Sequence, residues 1–284
     1  MGAPREQSGE VRARQFRLVA TDLDGTLLDN TGKISPRTAS ALRHATRTGA
    51  VIVVATGRPL RALSPLRDMG FTGTVIAQNG AVLYDLGAGR RRVRGVIDPV
   101  SLRDFVRELS ETVPGVQIAV QTLDETGEGF FADEGFPLDG YARLDRKSMV
   151  RFRIARALLW HPGPSVHLSD IADALARGRV HITRSRADGL VEVSASGVNK
   201  GAALADLAGT LGIDRKSVIA FGDMPNDREM LEWAGTGVAM KNAESSVFTV
   251  ADATTGSNEE DGVAVFLERA VGYVPAGVGT EARE

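Results

Sequence analysis

Short apolar runs alternate with helix-like stretches along this chain, and no other feature restricts its fold so tightly. The clearest run is Val51-Ile52-Val53-Val54-Ala55. It is β-branched and has no polar position, which predicts a strand buried on both faces of a parallel sheet rather than a half-exposed one. Residues 16–21, 74–77, 217–221 and 237–240 repeat the pattern. Helices are expected over 36–48, 59–69, 199–211, 225–233 and 259–270. The first has Ser35 as its cap, Pro36 at its first turn and Gly49 at its end. This alternation is the signature of an α/β fold, a parallel sheet covered by helices.

The rhythm changes between about 84 and 188. Short alternating segments at 91–96, 117–120, 150–154 and 180–183 surround helix candidates near 101–112 and 169–176. That mixture predicts an α+β module inserted into the sheet domain. Residues 1–15 are polar and carry no hydrophobic period, so they read as a mobile tail, and the last ten or so residues read the same way.

Composition removes several kinds of chemistry. The chain has no cysteine, which excludes disulfides, thiolate metal sites and cysteine nucleophiles together. A net charge of −2 argues against a nucleic-acid partner, which would call for a basic excess. No apolar stretch approaches the ~20 residues a bilayer requires, so no membrane partner is expected and a cytoplasmic location is. The basic run 90–94 and the acidic positions Asp124, Glu125, Glu128, Asp133 and Glu134 read as solvated hairpins. His161, His167 and His181 fit no zinc spacing.

Four motifs carry chemistry, each just past a predicted strand. Asp22-Leu23-Asp24-Gly25-Thr26 places two carboxylates at a strand's carboxyl end, where open α/β sheets build their sites. Such a pair can hold a hard cation through oxygen while one carboxylate attacks as nucleophile and the other moves protons. A calcium loop also begins Asp-x-Asp, but Thr26, Leu27 and Lys33 stand where it needs other residues. Thr56-Gly57-Arg58 offers a hydroxyl and backbone N–H groups as an anion nest. Lys200, opening a helix, can neutralise a phosphate and an attacking carboxylate together. Gly222-Asp223-Met224-Pro225-Asn226-Asp227 brackets a helix start with two carboxylates and an amide. Together they describe a Mg²⁺ site, a carboxylate nucleophile and a phosphate cradle on one sheet edge.

In this order and spacing the motifs resemble those of haloacid dehalogenase-like phosphatases. The stretches Thr56-Gly57-Arg58-Pro59, Gln78-Asn79-Gly80-Ala81, Val238–Ala243 and Glu260–Ala264 are similar to the Cof-type branch. The resemblance implies a Rossmann-like parallel-sheet core domain from 16–84 and 189–273, an inserted α+β cap domain over 85–188, and tails at 1–15 and 274–284. It implies that Asp22 is nucleophile and metal ligand, that Asp24 binds the metal through its backbone oxygen and serves as acid/base, and that Asp223 completes the metal shell with Asp227 behind it. It implies that Leu23 through its N–H, Thr56, Gly57, Lys200 and Asn226 hold the phosphoryl group, with Arg58 and Asn79 lining the crevice. The expected substrate is a small phosphomonoester such as a sugar phosphate or phosphorylated cofactor. A phosphosugar mutase, or a non-catalytic regulator that binds phosphometabolites, remains as an alternative on the same scaffold. Oligomeric state has no signature in the sequence.

Overall fold

The computed structural model describes residues 16–123, 127–162, 165–185 and 190–270. The expected tails, together with Asp124 and Glu125, lie outside the described residues. The first part of the chain forms β1 (Leu18–Asp22), α1 (Pro36–Arg47), β2 (Val51–Ala55), α2 (Ser64–Asp68), β3 (Thr74–Ala77), β4 (Val82–Asp85) and β5 (Arg90–Val93). The middle forms α3 (Pro99–Thr112), β6 (Gln117–Leu123), β7 (Glu128–Ala132), β8 (Ala142–Arg143), β9 (Ile154–Trp160), α4 (Ser165–Ala176), β10 (Val180–Thr183) and β11 (Leu190–Ala195). The chain then forms α5 (Lys200–Thr210), β12 (Val218–Gly222), α6 (Arg228–Trp233), β13 (Thr236–Ala239), β14 (Ala253–Thr254) and α7 (Gly262–Ala270). As the sequence predicts, Ser35 caps α1, its hydroxyl accepting from the Thr38 N–H at 3.0 Å.

The main sheet has the order β14-β13-β12-β1-β2-β3-β4-β5. Its strands from β14 to β3 are parallel, while β4 and β5 run antiparallel at one edge. The run Val51–Ala55 and β1 are the two central strands, and β1 is buried at every position. Alternate residues feed two cores. Val19, Val54 and Phe221 pack beneath α1 and α7, while Leu18, Ala20, Val53 and Ala220 pack beneath α5 and α6. From β1 the chain builds outward through β2 and β3, and from β12 it builds the other way. The β1–β12 boundary is therefore a topological switch point, where a crevice opens outside the carboxyl ends of the strands.

A second sheet, β10-β11-β9-β6-β7-β8, is antiparallel except between β7 and β8. One face is covered by α3 and α4 through Leu102, Phe105, Leu168 and Ala172. The opposite face carries Ala119, Leu158 and Leu190 and looks toward the crevice. The architecture is thus a Rossmann-like parallel-sheet core with an inserted α+β cap.

Two expected divisions differ from the observed pairing. Residues 90–93, assigned to the insert, form β5 and pair with β4 in the main sheet. The turn between them decides this, with Asp85 Oδ1 accepting from the Ala88 N–H at 2.9 Å. Residues 190–195, assigned to the core, form β11 and lie between β9 and β10 of the cap sheet. Lys200 accordingly follows a cap strand, not a strand of the main sheet. Apolar content says that a strand is buried; it does not say in which sheet. The expected helix at 59–69 is also interrupted, giving a 3₁₀ turn at Leu60–Ala62 and then α2, because Pro65 starts a helix but cannot sit inside one.

One close approach fixes α5 against the main sheet. Gly80 has φ +96°, and a Cβ there would collide with the backbone of Asn199, the α5 cap. Gly80→Ala combines left-handed strain with that collision. It is expected to lower unfolding stability by about 2 kcal/mol or more, read as a lower urea midpoint at unchanged slope; an unmoved midpoint would mean that the contact relaxes freely.

Candidate active site

Register brings three motifs to one edge. Thr21 sits beside both Val54 and Phe221, and Asp22 beside Ala55, so β1, β2 and β12 end together. Asp22, Thr56-Gly57 and Asp223 therefore surround the same crevice. Gly25, at φ +76°, turns the chain after β1, and any Cβ there would strike the Asp223 carboxylate. The Thr26 hydroxyl donates to Asp223 Oδ1 at 2.6 Å, and Asn242 Nδ2 donates to the Gly25 carbonyl at 2.8 Å.

Lys200 enters as the first residue of α5, positioned by the Asn199 cap, whose Oδ1 accepts from the Ala202 N–H at 2.7 Å. Its side chain is completely buried, and Nζ donates to Asp22 Oδ1 and, at 2.6 Å, to Asp227 Oδ1. The other Asp227 oxygen accepts from the Asp223 and Met224 N–H groups, each at 3.0 Å. A cation at a helix N-terminus opposes the helix dipole, so these carboxylates must hold it there. Burial alone would depress the Lys200 ammonium, but Asp22 and Asp227 outweigh it and raise its pKa. Burial, followed by repulsion from Asp227, raises Asp22 well above the usual carboxylate range against the pull of Lys200. The same two causes push Asp223 up to about 7.

Asp22, Asp223 and Asp227 bring carboxylate oxygens within 4.8 Å of one another. This all-oxygen, excess-negative set suits a hard divalent cation. Asp227 already serves Lys200 and two backbone N–H groups, which leaves Asp22 and Asp223 as the more available donors. The Asp24 side chain is not in that group. It is half exposed and forms a two-pronged ion pair with Arg58, at 2.8 Å to Nε and 2.6 Å to Nη2.

Around this centre, Leu23 is buried directly after Asp22 and the Thr56 hydroxyl accepts from the Arg58 N–H at 3.1 Å. Asn226 Nδ2 donates to Asn79 Oδ1 at 3.1 Å, while Asn226 Oδ1 is buried without a partner. Asn79 in turn donates to Glu192 of the cap. Arg156, also of the cap, donates to the Gly57 carbonyl and to Glu192, whose Oε1 additionally accepts from Ser185 at 2.7 Å. Glu128 crosses the crevice too. Its carboxylate accepts from the Leu60 and Arg61 N–H groups at 2.9 and 3.0 Å and from Gln78 at 3.0 Å. The reading of Glu128 as part of a solvated hairpin is therefore corrected, because it caps a 3₁₀ turn of the other domain.

Arg156, Glu192, Gln121 and Tyr141 line the crevice and were not singled out from the sequence. A signal existed for two of them. A lone arginine in Ile154–Trp160 and a lone glutamate in Leu190–Ala195 interrupt otherwise apolar strands. Charge inside a buried strand needs a partner or a purpose.

Comparison with known proteins agrees with this geometry. The sequence model of haloacid dehalogenase-like hydrolases matches residues 19–127 and 166–267. The 5-amino-6-(5-phospho-D-ribitylamino)uracil phosphatase YitU of Bacillus subtilis is 31% identical over 264 residues, covering 88% of this chain and 96% of that protein. A phosphoglycolate phosphatase of Methanoculleus marisnigri is 28% identical, covering 92% and 97%. The solved structure of the phosphatase BT1666 from Bacteroides thetaiotaomicron superposes with a TM-score of 0.77 at 26% identity, covering 96% of this chain and 99% of that one. The chain belongs to the haloacid dehalogenase-like hydrolases, in their Cof-type phosphatase branch.

Proposed function

We propose that the protein is a cytoplasmic, Mg²⁺-dependent phosphatase that hydrolyses small phosphomonoesters through a phosphoryl group carried on Asp22. The observation that carries this reading is the buried Asp22 carboxylate at the switch point, held by Lys200 in a crevice that Gly57 and Asn226 also line. Asp22 and Asp223, with the Asp24 backbone oxygen, would hold the ion, and Asp227 would support from behind. The ion supplies positive charge that keeps Asp22 ionised and neutralises the phosphoryl oxygens.

The residues divide the work. The Leu23 N–H, Thr56, Gly57, Lys200 and the second N–H of the Asn226 amide would hold the phosphoryl oxygens. An Asp22 oxygen attacks phosphorus in line with the leaving group, and Asp24 gives its proton to the departing alkoxide. Asp24 then takes a proton from water as that water attacks, which frees Asp22. In the observed conformation Arg58 forms a two-pronged ion pair with the Asp24 carboxylate. An arriving phosphate dianion competes for Arg58 and so frees the Asp24 side chain to turn toward the leaving group. Asn79, expected to line the crevice, is instead buried behind its wall, where it accepts from Asn226 Nδ2.

Two measurements test this. Asp22→Asn keeps shape and removes the nucleophile, so turnover of phenyl phosphate in Mg²⁺ is expected to fall by about a thousandfold or more with the circular dichroism spectrum unchanged. Residual activity near that of the parent would exclude Asp22 as the attacking group.

The second uses pH. Folding raises the Asp223 carboxyl from its ordinary 3.8 to about 7, so the folded protein binds more protons than the unfolded chain between those values. Stability of the metal-free protein therefore falls as pH rises through that window. A cation binds the charged form and reverses the loss. The Mg²⁺-induced rise in Tm should be larger at pH 8 than at pH 6, and a rise independent of pH would count against these ligands.

A further inference from the structure

Glu192, on β11 of the cap, is 1% exposed, and its two carboxylate oxygens have different partners. Oε1 accepts from Arg156 Nη2 and, at 2.7 Å, from the Ser185 hydroxyl. Oε2 accepts from Asn79 Nδ2. A charged carboxylate only accepts, so a side-chain amide that meets it must turn its nitrogen toward it. The Asn79 backbone has little freedom of its own. It lies in the left-handed region at φ +52°, a conformation asparagine takes more readily than most residues. The Asn79 N–H donates to the Thr56 carbonyl and the Gln78 N–H to that of Arg58, both at 3.1 Å. Which way round the Asn79 amide sits is then decided by Glu192.

With Nδ2 on Glu192, Asn79 Oδ1 faces the other way, where it accepts from Asn226 Nδ2 at 3.1 Å. The polarity is thereby passed on. Asn226 must also turn its nitrogen toward Asn79, and its second N–H stays free for another acceptor. Glu192, Asn79 and Asn226 are all at most 4% exposed. A wrongly turned amide would set two donors or two acceptors against each other in a place of low dielectric. The pair also stands directly behind the Gly57 turn, where a Cβ would lie 3.2 Å from Asn79 Oδ1 and 3.4 Å from both Glu192 oxygens.

We propose that Glu192 is a positioning residue for the phosphoryl group, a cap carboxylate that sets the orientation of the Asn226 amide through Asn79. This role rests on the phosphatase reading above. It requires no contact between Glu192 and the reacting atoms.

A swap of polarity tests it. In Glu192→Gln the one remaining oxygen must stay with Arg156, which can only donate, so the new nitrogen faces Asn79. The Asn79 amide turns over, Asn226 turns with it, and a lone pair replaces the N–H offered to the phosphoryl group. With Mg²⁺, kcat/KM for phenyl phosphate is expected to fall about tenfold or more. Asn79→Asp alone sets two carboxylates against each other and should be impaired at least as much. Combined with Glu192→Gln, the same change restores the pattern, since the carboxylate at position 79 accepts from the glutamine and from Asn226 Nδ2. The double variant should return to within about threefold of the parent. If Glu192 only braces the cap through Arg156, the double variant is no better than Glu192→Gln. That result, or a Glu192→Gln protein as active as the parent, overturns the inference and leaves the phosphatase reading intact. If the parent turns over no ester, the phosphatase reading fails, and calorimetry with Mg²⁺ and inorganic phosphate decides the orientation by itself. Binding weakened in each single variant and restored in the double upholds it; any other pattern, including no binding to the parent, overturns it. Should a variant not fold, the parent protein decides. The Asn79 side-chain amide protons should exchange with water far more slowly than those of the exposed Asn30, and equal rates overturn the inference.

Discussion

The ammonium of Lys200, buried between Asp22 and Asp227, is the interaction on which the rest of the molecule is arranged. Taking these charges out of water costs several kcal/mol per ion, and only close, hydrogen-bonded opposite charges can offset that. The fold supplies them from distant parts of the chain. Asp22 ends β1, Asp227 follows β12, and Lys200 arrives on α5 after the chain has returned from the cap. The Gly80 approach and the Asn199 cap are the local means by which α5 is aimed. Even so, the balance is incomplete. Lys200 is one positive charge among the buried carboxylates of Asp22, Asp223 and Asp227, and the raised carboxyl pKa values are the measure of what is missing. A divalent cation is the group whose charge closes that account. Removing Lys200 would leave the carboxylates repelling one another with no nearby relief, so fold and chemistry share one requirement here.

What could be read from the sequence follows the range of the forces involved. The Asp22, Thr56, Lys200 and Asp223 motifs sit at strand ends or helix starts, whose positions come from local apolar runs and capping residues. The sequence reading therefore brought them together correctly even with Leu190–Ala195 assigned to the wrong sheet. The misassigned strands, Arg90–Val93 and Leu190–Ala195, failed for a different reason: partner choice depends on turns and on long-range packing that a run of side chains does not encode. Glu128 shows the same limit. As a charge near an acidic stretch it reads as solvent-facing, yet the free N–H groups of Leu60 and Arg61, on the other domain, claim its carboxylate. The interdomain contacts of Arg156 and Glu192 are invisible from their neighbours. Only the oddity of charge within apolar strands hints at them.

The nature of those interdomain contacts bears on motion. The cap has its own core of Phe105, Leu109, Val120, Val191 and their neighbours, while its Leu123 and Ala155 are buried in the main-sheet cluster instead. Across the crevice the described ties are mainly polar: Glu128 to Leu60 and Arg61, Arg156 to Gly57, and Glu192 to Asn79. Each exchanges for water when broken, so its net contribution is only about 0.5–1.5 kcal/mol, rising toward 3 for charged partners. A handful of such ties favours closure by several kcal/mol at most. Beside these polar ties, the cap residues Leu123 and Ala155 pack with the main-sheet cluster, so apolar contact also holds the two domains together. Closure also does chemical work. Glu192 reaches Asn226 through Asn79, and Arg156 grips the Gly57 carbonyl, so two parts of the crevice wall are held from the cap side. On the proposed function, a substrate that holds the cap down would help to assemble the site that cleaves it. Binding energy gained against the cap would in this way be converted into alignment at Asp22.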